Sequence, residues 1–170
     1  YGHTLAVVPE GIRLDGHGLP QFFTSRQIHI SDATPQHLKL MLMYPGMLGP
    51  GLPVKLFLTG GELLETQTAE SFSAAAPRAG IVNVYGPTEC TDVSCMYTVE
   101  TGGSVPRFDV PVGRPLPGVR LYVLGKHGEI QPVGIPGELW IGGAGVTRGY
   151  LNRPELTAEV FASAHRSWLI

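Results

Sequence analysis

Apolar runs alternate with helix-like segments through the first hundred residues. Runs of strand length occur in TLAVVPE, in QIHIS, from Val54 to about Thr59 and in AGIVNVYG. The segments between them are polar or carry apolar residues at helical spacing. This alternation predicts an α/β fold, in which crossover helices connect the strands of a parallel sheet and ligands bind beyond the carboxyl ends of the strands. Three candidate rim segments therefore start at Ser31, Thr59 and Val84, and each carries polar or small residues where its apolar run stops.

The segment DATPQHLKLMLMYP predicts a helix with recognisable start signals. Thr34 can cap it, and Pro35 suits the first helical position. Leu38, Met41 and Leu42 would share one face of this helix. The segment PQFFTSR and the stretch before Pro77 predict further helices by the same apolar spacing.

Glycine and proline become frequent after Thr101, where short strands punctuated by turns replace the earlier alternation. RLYVLGKHGEIQPVG predicts a hairpin that turns near Lys126 to Gly128. GELWIGGAGVTRGYL predicts a strand interrupted by glycines, typical of a small barrel, and NRPELTAEVF predicts a short helix capped by Asn152. We therefore expect an α/β part over 1–103, a partial β-barrel over 104–150 and a short helix with a tail over 151–170.

Composition and charge narrow the function classes. The formal net charge is -2 and basic residues form no run, which disfavours nucleic acid and membrane surfaces as partners. Cys90 and Cys95 show no zinc-ligand spacing, and we expect free thiols in a cytoplasmic protein. The glycines of GGAGVTRG are not spaced as in a dinucleotide-binding loop, and there is no Gly-x-Ser-x-Gly nucleophile elbow.

Three motifs in order along the chain carry a family resemblance. VNVYGPTEC resembles the Asn-x-Tyr-Gly-Pro-Thr-Glu motif of adenylate-forming enzymes, and FLTGGELL resembles their Gly-Gly-Glu segment. GELWIGGAGVTRGYLNRPELTAEVF is most similar to the corresponding block of adenylation domains in nonribosomal peptide synthetases. The resemblance runs from Gly2 to about Phe161 and implies the flavodoxin-like subdomain of the adenylate-forming fold followed by part of its β-barrel.

The resemblance also implies a reaction and its partners. Such a ligase activates an amino or related acid with ATP as an acyl-adenylate. It then passes the acyl group to the phosphopantetheine thiol of a peptidyl carrier protein, among neighbouring synthetase domains in secondary metabolite biosynthesis. The enzyme must hold two anions together, and Mg²⁺ offsets their charge.

Carried over position by position, the motifs imply an ATP site. Tyr85 would stack on adenine, Thr88 would hydrogen-bond phosphate oxygens and Glu89 would hold Mg²⁺; Thr88 and Glu89 are the expected catalytic pair. Gly86 and Pro87 would form the turn that brings these groups together. The adenine slot would be shaped by Asn83 and the backbone of Gly60, Gly61 and Glu62. The alternative is an ordinary turn after a strand, with Tyr85 in the core and Glu89 solvated.

The resemblance also implies a pocket for the acyl substrate. Its walls would be Asp32, Phe57, Thr59, Val84, Asp92 and Val93. Two carboxylates in one small pocket are costly unless a cation or donors compensate, so we expect a substrate such as a diamino acid. Alternatively, Asp32 only favours the dipole of the following helix and Asp92 faces water.

The 170 residues lack the family's Ser/Thr/Gly-rich phosphate loop, its ribose-binding Thr-Gly-Asp and a catalytic lysine domain. We therefore expect this chain alone to form adenylate negligibly. Two alternatives stay open, namely a non-catalytic adenylation-like module with a structural or domain-interaction role, and a piece of an acyl-CoA ligase from the same superfamily. Retention of Thr88 and Glu89 favours the catalytic interpretation.

Overall fold

The structure is a computed structural model that describes residues 2–99, 109–164 and 167–169. The helices are α1 (Glu10–Arg13), α2 (Gly18–Arg26), α3 (Pro35–Leu42), α4 (Thr66–Ala75) and α5 (Pro154–Val160), with short 3-10 helices at Pro45–Met47 and Thr88–Cys90. The strands are β1 (Ile30–Ala33), β2 (Leu56–Thr59), β3 (Gly80–Tyr85), β4 (Cys95–Val99), β5 (Arg114–Pro115), β6 (Val119–Leu124), β7 (Glu138–Gly143), β8 (Ala162–Ala164) and β9 (Ser167–Leu169).

The strands form two sheets. The first has the order β1-β2-β3-β4-β5, in which β1, β2 and β3 are parallel while β4 and β5 are antiparallel. The second has the order β6-β7-β9-β8, and its pairings are antiparallel. The α/β class and the crossover helices are therefore confirmed, but the first sheet is mixed rather than purely parallel.

The chain divides into two compact units. The first unit comprises Tyr1–Val84 and Tyr97–Val112, and the second comprises Tyr85–Met96 and Gly113–Ile170. The predicted boundary at 103/104 lies outside the described residues. The ranges 1–103, 104–150 and 151–170 stay predictions.

The first unit is organised around a mainly apolar interior. Phe57 of β2 contacts Phe23 of α2 and Phe72 of α4 edge to face, with ring centroids 6.0 and 5.1 Å apart. Leu38 and Met41 of α3 are fully buried, as the predicted helix face requires, and Leu42 is half-buried. This core packs against β1, β2 and β3, whose carboxyl ends lie at the same edge of the sheet because the strands are parallel.

Local start signals explain why α3 forms where the sequence predicts it. Thr34 is its N-cap with an extended backbone, and Pro35 occupies the first helical position. The Thr34 backbone N–H donates to Nδ1 of His37 at 2.9 Å, which satisfies a group outside the helical ladder. The predicted cap is confirmed.

Two local predictions are wrong. Residues 2–9, which include the apolar run TLAVV, form neither helix nor strand, and Leu5 and Val7 are exposed. A strand needs a partner to accept its backbone hydrogen bonds, and no described segment pairs with this run. Asn152 does not cap α5: it has a left-handed backbone with φ 55°, and the N-cap is Arg153.

The predicted hairpin turn in the second unit is confirmed. The Gly125 N–H donates to the Glu129 carbonyl at 2.8 Å and the Gly128 N–H to the Gly125 carbonyl at 2.9 Å. The returning arm makes a single bridge, between Leu124 and Ile130. The long partner of β6 is instead β7, which pairs with it from Val119↔Gly143 to Leu124↔Glu138.

Candidate functional site

In the first unit, two buried polar side chains lie at the carboxyl edge of the parallel strands. Thr59 ends β2 and is paired in register with Asn83 of β3. The Asn83 side-chain amide donates to the Val110 carbonyl at 3.3 Å and to the Pro111 carbonyl at 2.9 Å. The fully buried Thr59 hydroxyl has no hydrogen-bond partner in the described structure, which is unusual for a buried polar group.

Gly60 and Gly61 follow this edge for two different steric reasons. A Cβ on Gly60 would lie 2.5 Å from the Val84 carbonyl oxygen, so only glycine allows β2 and β3 to approach here. Gly61 has φ +82°, a conformation that favours glycine. The chain then reaches Glu62, whose side chain is exposed.

In the second unit, residues 85–91 form a compact turn, which we call the Tyr-Glu turn. The Tyr85 carbonyl accepts from the Ser94 N–H at 2.8 Å. A Cβ on Gly86 would lie 2.2 Å from the Asp92 carbonyl oxygen, so the turn closes only with glycine there. The Tyr85 side chain is 40% exposed and therefore does not belong to the core.

The Glu89 carboxylate is the most specifically held group of the turn. It is half-buried, and the Tyr150 phenol donates a hydrogen bond to its Oε1. This bond lowers the pKa of Glu89 from its ordinary value, so the carboxylate is ionised at neutral pH. The same bond raises the pKa of Tyr150, which keeps the phenol protonated as the donor.

The backbone of the Tyr-Glu turn is bound to residues 143–150, which we call the glycine segment. The Thr147 N–H donates to the Glu89 carbonyl at 2.7 Å, and the Thr91 hydroxyl donates to the Gly145 carbonyl at 2.6 Å. A Cβ on Gly145 would lie 2.9 Å from the Cys90 carbonyl oxygen, which explains a glycine at this contact. Two motifs distant in sequence therefore form one site.

Thr88 begins the 3-10 helix of the turn, and its side chain is exposed. Within the described residues its hydroxyl makes no hydrogen bond, whereas its carbonyl accepts from the Thr91 N–H at 3.2 Å. The hydroxyl is therefore available to an external acceptor or donor.

The predicted acyl-pocket residues lie in different surroundings. In the first unit, strand register places Thr59 and the core residue Phe57 on one face of the sheet and Asp32 on the other. In the second unit, Asp92 is exposed with φ 72° and Val93 is half-buried; Val84, in the first unit, is also half-buried. Their role as pocket walls stays a prediction.

Asp32 lines a cavity within the first unit. The cavity has a volume of about 170 Å³ and lies among α1, α2, β1 and α3. Its other lining residues are Val8, Arg13, Leu19, Phe23, Ser31, Ala33, His37 and Met41. Asp32 is the single member of the predicted pocket set that lines this cavity.

Sequence reasoning missed Tyr150. It stands inside the third quoted motif, in TRGYL, but 61 positions separate it from Glu89 and no local pattern links them. The available signal was a phenol that directly follows Gly149 of the motif.

The donor set of the turn fits Mg²⁺ in kind. Mg²⁺ takes oxygen ligands and is commonly bound by one or two carboxylates plus substrate phosphates and waters. Glu89 supplies one ionised carboxylate, and no cluster of three or more His, Cys, Asp or Glu side chains exists in the described structure. A single carboxylate fits a metal that the protein binds together with substrate phosphates and waters.

The predicted free thiols are found: Cys90 and Cys95 are both free and buried, and burial raises the pKa of each thiol. Across the described residues, no helix combines the length and apolar character that crossing a membrane requires.

Comparison with known proteins identifies the family of this chain. A model of the AMP-binding enzyme family matches residues 1–151. The chain belongs to the AMP-binding enzyme family. It is similar to the adenylation domains of nonribosomal peptide synthetases, over part of such a domain, so the predicted resemblance is confirmed.

Individual relatives cover nearly the whole chain. Bacitracin synthase 1 of Bacillus licheniformis is 40% identical over 163 residues, which are 95% of this chain and 3% of that protein. A crystal structure of a holo four-domain nonribosomal peptide synthetase bound to AMP and glycine matches with a TM-score of 0.85 and 32% identity, over 100% of this chain and 13% of that one.

A nonribosomal peptide synthetase protein containing adenylation and PCP domains matches with a TM-score of 0.78 and 28% identity, over 92% of this chain and 32% of that one. The chain therefore spans a small part of the length of each of these proteins.

Proposed function

We propose that this chain is the part of an ATP-dependent ligase that helps to activate an amino or related acid as an acyl-adenylate. One observation carries the proposal: the Tyr-Glu turn presents an exposed aromatic ring, an unbonded hydroxyl and an ionised carboxylate within five residues. Ring, hydroxyl and acid are the groups needed for a base, a phosphate and a phosphate-bound cation.

The proposed residue roles are those that the family resemblance implies, and the arrangement of the Tyr-Glu turn supports them. Tyr85 stacks on adenine, the Thr88 hydroxyl donates to a phosphate oxygen, and Glu89 holds Mg²⁺. When bound, Mg²⁺ neutralises phosphate charge, which favours attack by the substrate carboxylate. Asn83 shapes the adenine slot together with the backbone of Gly60, Gly61 and Glu62; its amide donors already bind carbonyls, so its side-chain oxygen is the group left for adenine.

The partners follow from the same proposal. The activated acyl group passes to the phosphopantetheine thiol of a peptidyl carrier protein, with neighbouring synthetase domains close by. A related structure that contains adenylation and PCP domains supports this assignment. The antiparallel pairing of β6 with the glycine-bearing β7 supports the further proposal that the second sheet is part of a barrel.

Two variants of the full-length protein test the nucleotide site. Tyr85→Ala should weaken ATP binding roughly 10-fold, because base–aromatic stacking contributes about 1–3 kcal/mol. Glu89→Gln should mainly slow the reaction, because metal positioning is lost.

The measurements are ATP binding by calorimetry and amino-acid-dependent pyrophosphate exchange. Tyr44→Ala is the matched control, since Tyr44 is 43% exposed and lies outside the turn. Parental behaviour of both site variants would contradict the role assignments.

The acyl substrate is a finer proposal. If Asp32 and Asp92 both face it, the substrate carries a positive or strongly donating side chain, such as that of a diamino acid. The buried Thr59 hydroxyl has no hydrogen-bond partner among the described residues, which supports a polar group on the substrate near it. A panel of acids in the exchange assay tests this, and a clear preference for bulky aliphatic acids would overturn it.

We further propose that these 170 residues alone form adenylate negligibly, because no phosphate loop or catalytic lysine domain occurs among them. Pyrophosphate exchange by the 170-residue polypeptide, measured against buffer and against Glu89→Gln, provides the test. Exchange well above both would refute the statement.

A further inference from the structure

Tyr150 is held at three points within the second unit. Its ring contacts Phe161 edge to face with centroids 5.6 Å apart, and its backbone N–H donates to the Thr157 hydroxyl at 3.0 Å. Its phenol donates to Glu89 Oε1. Because Thr157 belongs to α5 and Phe161 directly follows it, α5 sets the position of the phenol.

The residue before Tyr150 contributes to this placement. Gly149 has φ +117°, and a Cβ there would lie 2.3 Å from Cγ2 of Thr157. A side chain at this position would push the glycine segment away from α5. Gly149 therefore allows the close approach that fixes Tyr150.

Glu89 has a fixed backbone but a side chain with several rotatable bonds. The Thr147 N–H holds its carbonyl at 2.7 Å, and a hydrogen bond from the Glu89 backbone also reaches the carboxylate. Among the described side chains, Tyr150 is the only one that hydrogen-bonds with this carboxylate. The phenol occupies Oε1 and so turns the other oxygen, Oε2, to a defined direction.

We propose that Tyr150 is a positioning residue for Glu89, whose phenol holds one carboxylate oxygen so that the other is presented to a phosphate-bound divalent cation. This inference rests on the proposed function, in which Glu89 is the metal ligand. Groups that orient a metal ligand commonly change metal affinity 10–100-fold when removed, although they do not touch the metal. Tyr150 would act in the same way.

The test measures metal dependence separately from catalysis. In the full-length protein, the ATP-induced rise in melting temperature is recorded against Mg²⁺ concentration for the parent, Tyr150→Phe and Glu89→Gln. Tyr150→Phe removes the hydroxyl and keeps the ring on Phe161. We expect it to raise the Mg²⁺ concentration for half-maximal stabilisation roughly 10-fold, while the ATP effect without Mg²⁺ is unchanged.

Tyr122→Phe is the matched control. Tyr122 lies on β6 of the same unit, and its hydroxyl makes no hydrogen bond within the described residues. Its loss should leave the Mg²⁺ requirement at the parental value. In pyrophosphate exchange, Tyr150→Phe should raise the KM for Mg²⁺ but not the KM for ATP at saturating Mg²⁺, a split that a general loss of stability would not produce.

The outcomes separate the two proposals. If Glu89→Gln loses the Mg²⁺ effect while Tyr150→Phe keeps the parental Mg²⁺ requirement, the positioning role is overturned and the proposed function stands. A Mg²⁺ effect that survives Glu89→Gln overturns both. Should Tyr150→Phe fold poorly, Thr157→Val loosens Tyr150 without deleting the phenol, and an unchanged Mg²⁺ requirement in that variant overturns the inference.

Discussion

The two units of this chain are built by different physics. All but four of the buried apolar side chains in the described residues lie in the first unit, the exceptions being Cys90, Cys95, Ile141 and Phe161. In the second unit, Ile130, Val133 and Leu151 are at least 70% exposed, and the turn is held by backbone and side-chain hydrogen bonds. Apolar burial contributes most of the favourable free energy of folding. Hydrogen bonds are directional, so they fix the orientation of the groups in the turn.

Because of this difference, we expect the free energy of unfolding to depend mainly on the first unit and the geometry of the site mainly on the Tyr-Glu turn. Substitutions in the core of the first unit should change the free energy of unfolding far more than the response to ATP. Substitutions in the Tyr-Glu turn should do the reverse. A core variant that changes mainly the response to ATP, or a turn variant that changes mainly the free energy of unfolding, would contradict the comparison.

The largest effect is expected from Leu64→Ala in the first unit. Leu64 is fully buried, and its neighbour Leu63 is 62% exposed, so the same truncation can be made at adjacent positions. Leu64→Ala should lower the free energy of unfolding by about 3 kcal/mol, and Leu63→Ala by less than about 0.5 kcal/mol. Urea denaturation measures both, and equal losses would show that this core does not dominate stability.

A smaller effect on stability and a larger one on the site are expected from Gly86→Ala. The added Cβ would lie 2.2 Å from the Asp92 carbonyl oxygen and 2.6 Å from the Ser94 nitrogen, so the turn must open. Overpacking of this kind costs about 1–3 kcal/mol, and stabilisation by ATP with Mg²⁺ should disappear. Thermal denaturation with and without ligand measures both quantities.

Gly46→Ala is the control for this substitution, because a Cβ at Gly46 meets nothing within 4 Å. It should keep the parental response to ATP. If Gly86→Ala were stabilised by ATP as strongly as the parent, nucleotide binding would not depend on the closed turn.

Sequence patterns predicted the elements whose signals are local. The cap at Thr34 and the helix α3 depend on residues within one turn of each other, and both were found. TLAVV failed because apolar character alone does not provide a hydrogen-bonding partner. Asn152 failed because asparagine also tolerates the left-handed backbone that it adopts here.

The site was predictable only in part for a related reason. The Tyr-Glu turn is contiguous, so its residues could be named, and Tyr85, Thr88 and Glu89 are all accessible or half-buried. The partner of Glu89 could not be named, because the contact with Tyr150 depends on how α5 packs rather than on spacing. Which residues face the acyl substrate is likewise a question of packing.

The smallest effect is expected from a polar contact in the first unit. Backbone hydrogen bonds from Gly18 and His17 lower the pKa of the Asp15 carboxyl from its ordinary value, the His17 N–H lying 3.0 Å from Oδ1. The ionised carboxylate therefore stabilises the fold above the unfolded-state pKa of about 3.9, and this contribution is lost as pH falls through the lower folded-state value.

Asp15→Asn should consequently lower the urea midpoint slightly at neutral pH, with the difference from the parent shrinking on acidification below about pH 4. Glu70→Gln is the control, since Glu70 is exposed and makes no ion pair or hydrogen bond within the described residues. A pH-independent difference for Asp15→Asn would show that the side chain acts through packing. A difference as large as that of Leu64→Ala would mean that polar contacts stabilise the first unit as strongly as its core does.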